Sequence, residues 1–154
     1  LFSSRGFDFH QIVGDEIWEK AEKALEKAEL TAISNRAMNT LSTGEKRRVL
    51  LARAAITEPE IMLLDEASNG LDFPSRADLR KIISGYATSG RTIIMVTHEL
   101  AEVIPEVNRV LLMKDGKIMR DGKKEDLLTS EILSEIYGHN VTVAEKDGIY
   151  TAFC

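Results

Sequence analysis

Apolar residues along this 154-residue chain change their period from one stretch to the next, and each change marks an element. Over "DEIWEKAEKALEKAEL", Ile17, Trp18, Ala21, Leu25 and Ala28 fall on one helical stripe with Lys and Glu elsewhere, which predicts an amphipathic helix. "EIMLLDEASNGLD" opens with four consecutive apolar residues, Ile61 to Leu64, after Pro59. Four in a row cannot alternate between a wet and a dry face, so they predict a strand buried on both sides, as in parallel sheets. "FPSRADLRKIISGYA" predicts a helix starting near Pro74, because Pro is favoured in a first turn. After the Ser89–Gly90 break, "RTIIMVTHE" predicts a second apolar strand. Strand, helix and strand within about 40 residues predict a right-handed parallel crossover.

Beyond it, "RVLLMKDGKIMRDG" places two apolar stretches around Asp115-Gly116, a strong short-range signal for a hairpin. "KKEDLLTSEILSEIYG" predicts two short helices, the second capped near Thr129 or Ser130 and stopped by Gly138. "NVTVAEKDGIYTAF" repeats the hairpin logic around Asp147-Gly148. The fold class is therefore α/β, with no internal repeat or linker.

One stretch, "NTLSTGEKRR", carries a conflict. Ser42 and Glu45 have the spacing of a capping box, in which each side chain satisfies a backbone donor at the other's position. A helix should start here. Yet Lys46, Arg47 and Arg48 crowd three cations into its first turn, where the helix dipole already presents partial positive charge and acids are preferred. Either the face is simply solvated, or an anion is meant to sit there.

Composition limits what that anion could be. Hydrophobic residues make up 44% and charged residues 29%, an ordinary globular balance, and the formal net charge is -5. A global basic footprint is missing, so nucleic acid is not the expected partner. No apolar run approaches the roughly 20 residues that span a bilayer. The single Cys154 has no partner in the chain, and a reducing, cytoplasmic setting is expected. His10, His98 and His139 show no spacing of zinc ligands. The chain begins at Leu1, which raises the expectation that it is the tail of something longer.

Candidate chemistry lies where the two apolar strands end, since ligands of open α/β sheets bind at the carboxyl ends of the strands. One strand ends in Asp65-Glu66 and the other in Thr97-His98-Glu99. Adjacent carboxylates at the mouth of an apolar strand are costly to desolvate unless a cation or proton takes up their charge. A hydrated magnesium ion fits, because it needs only one or two carboxylates plus phosphate oxygens. Exposed loop acids or helix caps give the same pattern, and a lone histidine after a strand is more often structural.

The order of the motifs is more telling than any one of them. "LSTGE", "IMLLDE", "SNGLD" and "IIMVTH" in series resemble the second half of the nucleotide-binding domain of ATP-binding cassette (ABC) transporters, from about Leu41 to Gly122. The resemblance implies a partial P-loop NTPase fold, mainly a parallel sheet flanked by helices, with a helical signature region over about 1–57 and an α/β core with C-terminal hairpins over about 58–154. It likens Leu41 to Glu45 to the signature, so that Ser42, Thr43, Gly44 and Glu45 would face nucleotide. Asp65 would hold magnesium through water, and Glu66 would orient or deprotonate the attacking water. His98 would contact the γ-phosphate, and Asp72 would couple two sites across a dimer. The cofactors implied are ATP and Mg2+; the partners implied are a second nucleotide-binding domain, head to tail, and transmembrane permease subunits. The location implied is cytoplasmic, peripheral on the inner face of the cell membrane. In such a dimer the helix behind Ser42 would meet a triphosphate held by the partner, the anion that its cations call for.

Departures from the family pattern matter as much. Thr43 replaces the first signature glycine and Glu45 its glutamine, and Ala67 stands where importers often have proline. No stretch fits Gly-x-x-x-x-Gly-Lys-Ser/Thr, and Gln11 sits in the wrong context for the family's glutamine loop. Without a phosphate loop there is no cradle for the β- and γ-phosphates. The chain thus resembles half a catalytic domain. In that fold the missing strand would lie between those ending at His98 and around Val110 to Met113, and its absence would bare sheet edges. The expected function is the ATP-hydrolysing subunit of a transporter, as a fragment inactive alone. A soluble non-transport ABC ATPase, or an inert truncated module pairing with an intact partner, are the alternatives. The tail, "DGKIMRDGKKEDLLTSEILSEIYG", is similar to importer ATPases for iron-siderophores, cobalamin and related metal complexes.

Overall fold

Each helix of the chain has one small-residue or apolar stripe, and those stripes decide what packs. The computed structural model describes residues 14–154; His10 and Gln11, weighed above, lie outside them. The chain divides into two compact units, one ending at Ile94 and the other spanning Met95–Cys154.

In the first unit, α1 (Asp15–Lys27) carries two ion pairs one turn apart on its wet side, Glu16–Lys20 at 2.8 Å and Glu19–Lys23 at 2.6 Å. Its dry side uses Ala24 and Ala28, joined by Leu30, Leu41, Val49 and Ala52 in one core cluster. Ile17, expected on that stripe, lies a turn too early and stays half exposed. Small residues at 24, 28 and 52 let α1 and α2 (Thr43–Ala55) approach closely. Then come β1 (Ile61–Asp65), α3 (Phe73–Thr88) and β2 (Thr92–Val96). α3 buries Leu79, Ile82, Ile83 and Tyr86, spaced three, four and seven apart as one helical face demands. β1 and β2 are hydrogen-bonded neighbours. The Thr92 amide, at the start of β2, donates to the Glu60 carbonyl just ahead of β1 at 2.8 Å. The strands therefore begin side by side and run the same way, with α3 as the crossover that parallel neighbours need.

The expectation that these strands are buried on both faces is corrected. Met62 is buried, but Ile61 and Leu63 are 59% and 68% exposed, and Ile94 and Val96 are exposed as well. Only one face of β1 is packed among the described residues. The apolar run reports what the strand is made to contact, not what this chain supplies to cover it.

The second unit is built from two hairpins and two short helices. β3 (Arg109–Lys114) pairs antiparallel with β4 (Lys117–Lys123), and β5 (Thr142–Lys146) with β6 (Ile149–Phe153). Both turns are Asp-Gly with positive φ at each residue, 51° and 72° at 115–116 and 54° and 76° at 147–148, the geometry that matches strand twist. β3 and β4 form a two-stranded sheet. α4 (Lys124–Leu127) leads to α5 (Ser130–Tyr137), where the Thr129 side chain accepts from the Ile132 amide and Gly138 closes the helix in the left-handed region at φ 74°. Leu127, Leu128, Leu133, Ile136 and Val141 are buried here, with Ile104 and Tyr150.

Lys124 is the one charged side chain buried among the described residues, at 4% exposure. Its Nζ donates to the Pro105 carbonyl at 2.6 Å and lies 5.9 Å from the centre of the Tyr150 ring, so it ties α4 to the loop after residue 100 and to β6. Replacing it by methionine keeps the aliphatic stem and strands that carbonyl. Lys124→Met should lower stability by about 1–3 kcal/mol in a denaturant titration.

Candidate functional site

The helix opening at Ser42 carries the capping box in full. The Ser42 hydroxyl accepts from the Glu45 amide at 3.1 Å, and the Glu45 carboxylate accepts from the Ser42 amide at 2.6 Å. Arg36 reaches the same carboxylate at 3.4 Å while donating to the Thr40 carbonyl at 2.6 Å. The Ser42 amide, with smaller help from Arg36 and Arg48, holds the Glu45 carboxyl below its usual range. An acid thus sits at the helix start after all, and it offsets part of the charge of Lys46, Arg47 and Arg48, which are partly buried. Thr43 is the first helical residue and keeps negative φ, so the glycine it replaces is not required for backbone conformation.

Gly44 is required for space. It is buried, and a Cβ built on it would stand 2.6 Å from the Ser75 hydroxyl and 2.9 Å from the Ser75 Cβ. Ser75 belongs to the first turn of α3, whose N-cap is Asp72: the Ser75 amide donates to Asp72 Oδ1 at 2.8 Å. The Ser75 side chain, and after it this amide, pull the Asp72 carboxyl below its usual range. The amino ends of α2 and α3 are therefore pressed together through Gly44 and Ser75, which brings Ser42, Thr43, Gly44, Glu45 and Asp72 into one neighbourhood. Two positive helix ends meet there, with Glu45 and Asp72 as their local acids.

β1 delivers Asp65 as its last residue, exposed. Glu66 follows with φ 43°, a left-handed conformation of order 1–3 kcal/mol above the usual regions for a side chain of this kind. The turn is held by the Asn69 amide donating to the Glu66 carbonyl at 3.1 Å, and the Asn69 side chain donates to the Glu66 carboxylate, also at 3.1 Å. Ser68 is buried below. His98 belongs to the second unit, two residues past β2, and is exposed. Sequence reasoning missed Ser75 and Asn69. Ser75 could have been found as the third residue after an N-capping Asp72, and Asn69 as part of an Asn-Gly turn next to the acids.

Comparison with known proteins gives a consistent result. Residues 3–69 match the model of a family described as ABC transporter. The chain is 38% identical over 121 residues to an uncharacterised ABC transporter ATP-binding protein, YlmA, of Bacillus subtilis, covering 77% of this chain and 46% of the relative. It is 31% identical over 123 residues to the hemin import ATP-binding protein HmuV of Rhodococcus jostii, covering 80% and 42%. Among solved structures it is similar to CbiO1 from Clostridium perfringens, part of the ABC transporter complex CbiONQ, with TM-score 0.68 and 28% identity over 79% of this chain and 49% of that one. The chain spans about half the length of the curated relatives it matches.

Gly44→Ala should destabilise the chain by about 1–3 kcal/mol, as overpacking of a tight contact does. In a Ser75→Gly background the loss should shrink, which a double-mutant cycle of denaturant midpoints measures. The depressed Glu45 and Asp72 carboxyls also set a pH window. Their contribution is present above the unfolded values of about 4.3 and 3.9 and is lost as pH falls through the lower folded values. Glu45→Gln should therefore flatten the acid limb of stability against pH below about 4.5.

Proposed function

Because this chain belongs to the family of ABC transporter ATP-binding proteins and has the fold of their cassettes, we propose that it forms the signature-bearing, catalytic-acid half of an ATPase that energises an ABC transporter. The observation that carries the reading is β1 ending on Asp65 with Glu66 set in a left-handed turn beside it. Two adjacent acids with different backbone settings can take different tasks. Magnesium keeps waters and phosphate oxygens in its shell and needs few carboxylates, so one acid at the end of β1 would suffice for it. Asp65 would hold the ion through water and Glu66 would orient or deprotonate the attacking water, with His98 against the γ-phosphate. Phosphoryl transfer rests on such positioning and charge stabilisation.

In this reading the amino end of α2, Ser42 to Glu45, lies over a triphosphate bound by a second nucleotide-binding domain, head to tail, and Asp72 links the two sites. Helix amides and the dipole favour an anion there. Residues 1–57 would serve as the helical signature region and 58–154 as the α/β core and its extension. Transmembrane permease subunits would be the other partners, with the chain peripheral on the cytoplasmic face; no helix among the described residues is long and apolar enough to cross a membrane. The resemblance of the tail to ATPases of metal-complex importers supports a solute of that class, and one similar protein is named a hemin import ATP-binding protein.

The chain by itself is expected to hydrolyse no ATP; magnesium-dependent phosphate release by the purified chain above a Glu66→Gln control contradicts this. In a cassette completed with its phosphate loop, Glu66→Gln should retain ATP binding while turnover falls by about 10²–10⁴-fold, the range for loss of a general base. Undiminished turnover removes Glu66 from the role.

A further inference from the structure

The turn that carries Glu66 also holds the chain's one Asn-Gly pair, Asn69-Gly70. Five asparagines occur in the sequence, and the other four precede Arg36, Thr40, Arg109 and Val141, all of them large or branched. All five asparagines are exposed, so access to water does not set Asn69 apart. The residue after it does. Gly70 has no side chain to crowd its own amide nitrogen, its φ is 75°, and nothing stands within 4 Å of the place a Cβ would take. Glycine in such a setting moves through conformations closed to other residues.

The hydrogen bonds of the turn leave the neighbouring reactive atoms free. The Asn69 amide donates to the Glu66 carbonyl and the Leu71 amide to the Ser68 carbonyl, both at 3.1 Å. The Gly70 amide between them donates to no acceptor among the described residues. The Asn69 carboxamide is held through Nδ2 alone, which donates to the Glu66 carboxylate at 3.1 Å. An exposed turn with so few bonds belongs to the part of a fold that opens most readily.

We propose that Asn69 is a site of spontaneous deamidation, and that the reaction sets a carboxylate against Glu66. The Gly70 amide nitrogen gives its proton to a solvent base and bonds to Asn69 Cγ. The Cγ–Nδ2 bond breaks, the side-chain nitrogen leaves as ammonia, and a five-membered succinimide is closed. Water then opens the ring. Addition at Cγ restores the ordinary backbone and leaves aspartate at position 69; addition at the backbone carbonyl leaves isoaspartate, with the chain running through the side-chain carbon. In sum, an amide and a water become a carboxylate and ammonium, with no oxidant or reductant. Aspartate at 69 puts an acceptor where Nδ2 now donates to Glu66, so like charge faces like charge. Isoaspartate removes the same donor and lengthens the turn by one backbone carbon. Either way the left-handed Glu66 loses a bond that helps hold it. The loss of turnover that follows rests on the role proposed for Glu66; the reaction itself does not.

The test incubates the purified chain at mildly alkaline pH and maps its peptides by mass, with an isoaspartyl methyltransferase reporting isoaspartate. Conversion at Asn69 should outpace that at Asn35, Asn39, Asn108 and Asn140 by at least about tenfold. Isoaspartate should be among the products, and the rate should rise with pH, because the attacking nitrogen must shed its proton. In a cassette completed with its phosphate loop, Asn69→Asp should lower turnover by about tenfold or more, whereas Asn69→Ala, which loses the bond without adding charge, should lower it less. Conversion at 69 no faster than at the other four asparagines, or without isoaspartate, overturns the modification site. Asn69→Asp turning over like the parent, in a cassette that Glu66→Gln inactivates, overturns its effect on Glu66. If Glu66→Gln also keeps full turnover, the reading of Glu66 is what fails, and the conversion at 69 still decides the proposal.

Discussion

The contact on which the site depends is the one between Gly44 and Ser75. With no room for a methyl group at 44, the first turns of α2 and α3 meet backbone to side chain, and the residues at both helix starts are fixed with respect to each other. Each start is then capped from within its own turn, by Ser42 and Glu45 on one side and Asp72 on the other. The two caps leave a concentrated positive helix-end potential with only short acids to answer it. The two N-caps are local features, and the close approach of Gly44 to Ser75, 31 positions away, sets them side by side.

The same economy operates at β1. A strand of apolar residues runs into Asp65, and the chain turns at once through a left-handed Glu66 braced by Asn69. Such a turn persists only where its surroundings hold it, and here the buried Ser68 and the Asn69 bonds do so. The exposed faces of Ile61, Leu63, Ile94 and Val96 belong to the same logic. They are strand residues chosen for two-sided contact, in a chain about half the length of its relatives.

Much of this was legible in the sequence because the signals are local. The capping box at Ser42 and Glu45, the Asp-Gly turns at 115 and 147 and the helix stop at Gly138 each depend on residues within a few positions, and each appears where the pattern puts it. The parallel crossover was legible from period alone. What the pattern did not give was anything that depends on a partner surface: the bare face of β1, the half-exposed Ile17, and the close fit of Gly44 on a residue 31 positions away. The buried Lys124 was equally silent, since the second of two adjacent lysines in a charged stretch reads as a solvated side chain until the Pro105 carbonyl is seen to receive it.

The central claim is that the amino end of α2 faces the phosphates of a bound nucleotide. Ser42 is exposed, so a Ser42→Cys substitution, made in a Cys154→Ser background of a complete cassette that also carries Glu66→Gln to hold ATP, gives a thiol at that point. The account predicts that saturating ATP with magnesium slows maleimide labelling of this thiol by at least about tenfold, while the same ATP leaves a thiol at exposed Asp147 unaffected. Equal labelling of the position-42 thiol with and without nucleotide, in a cassette shown to bind ATP, contradicts it.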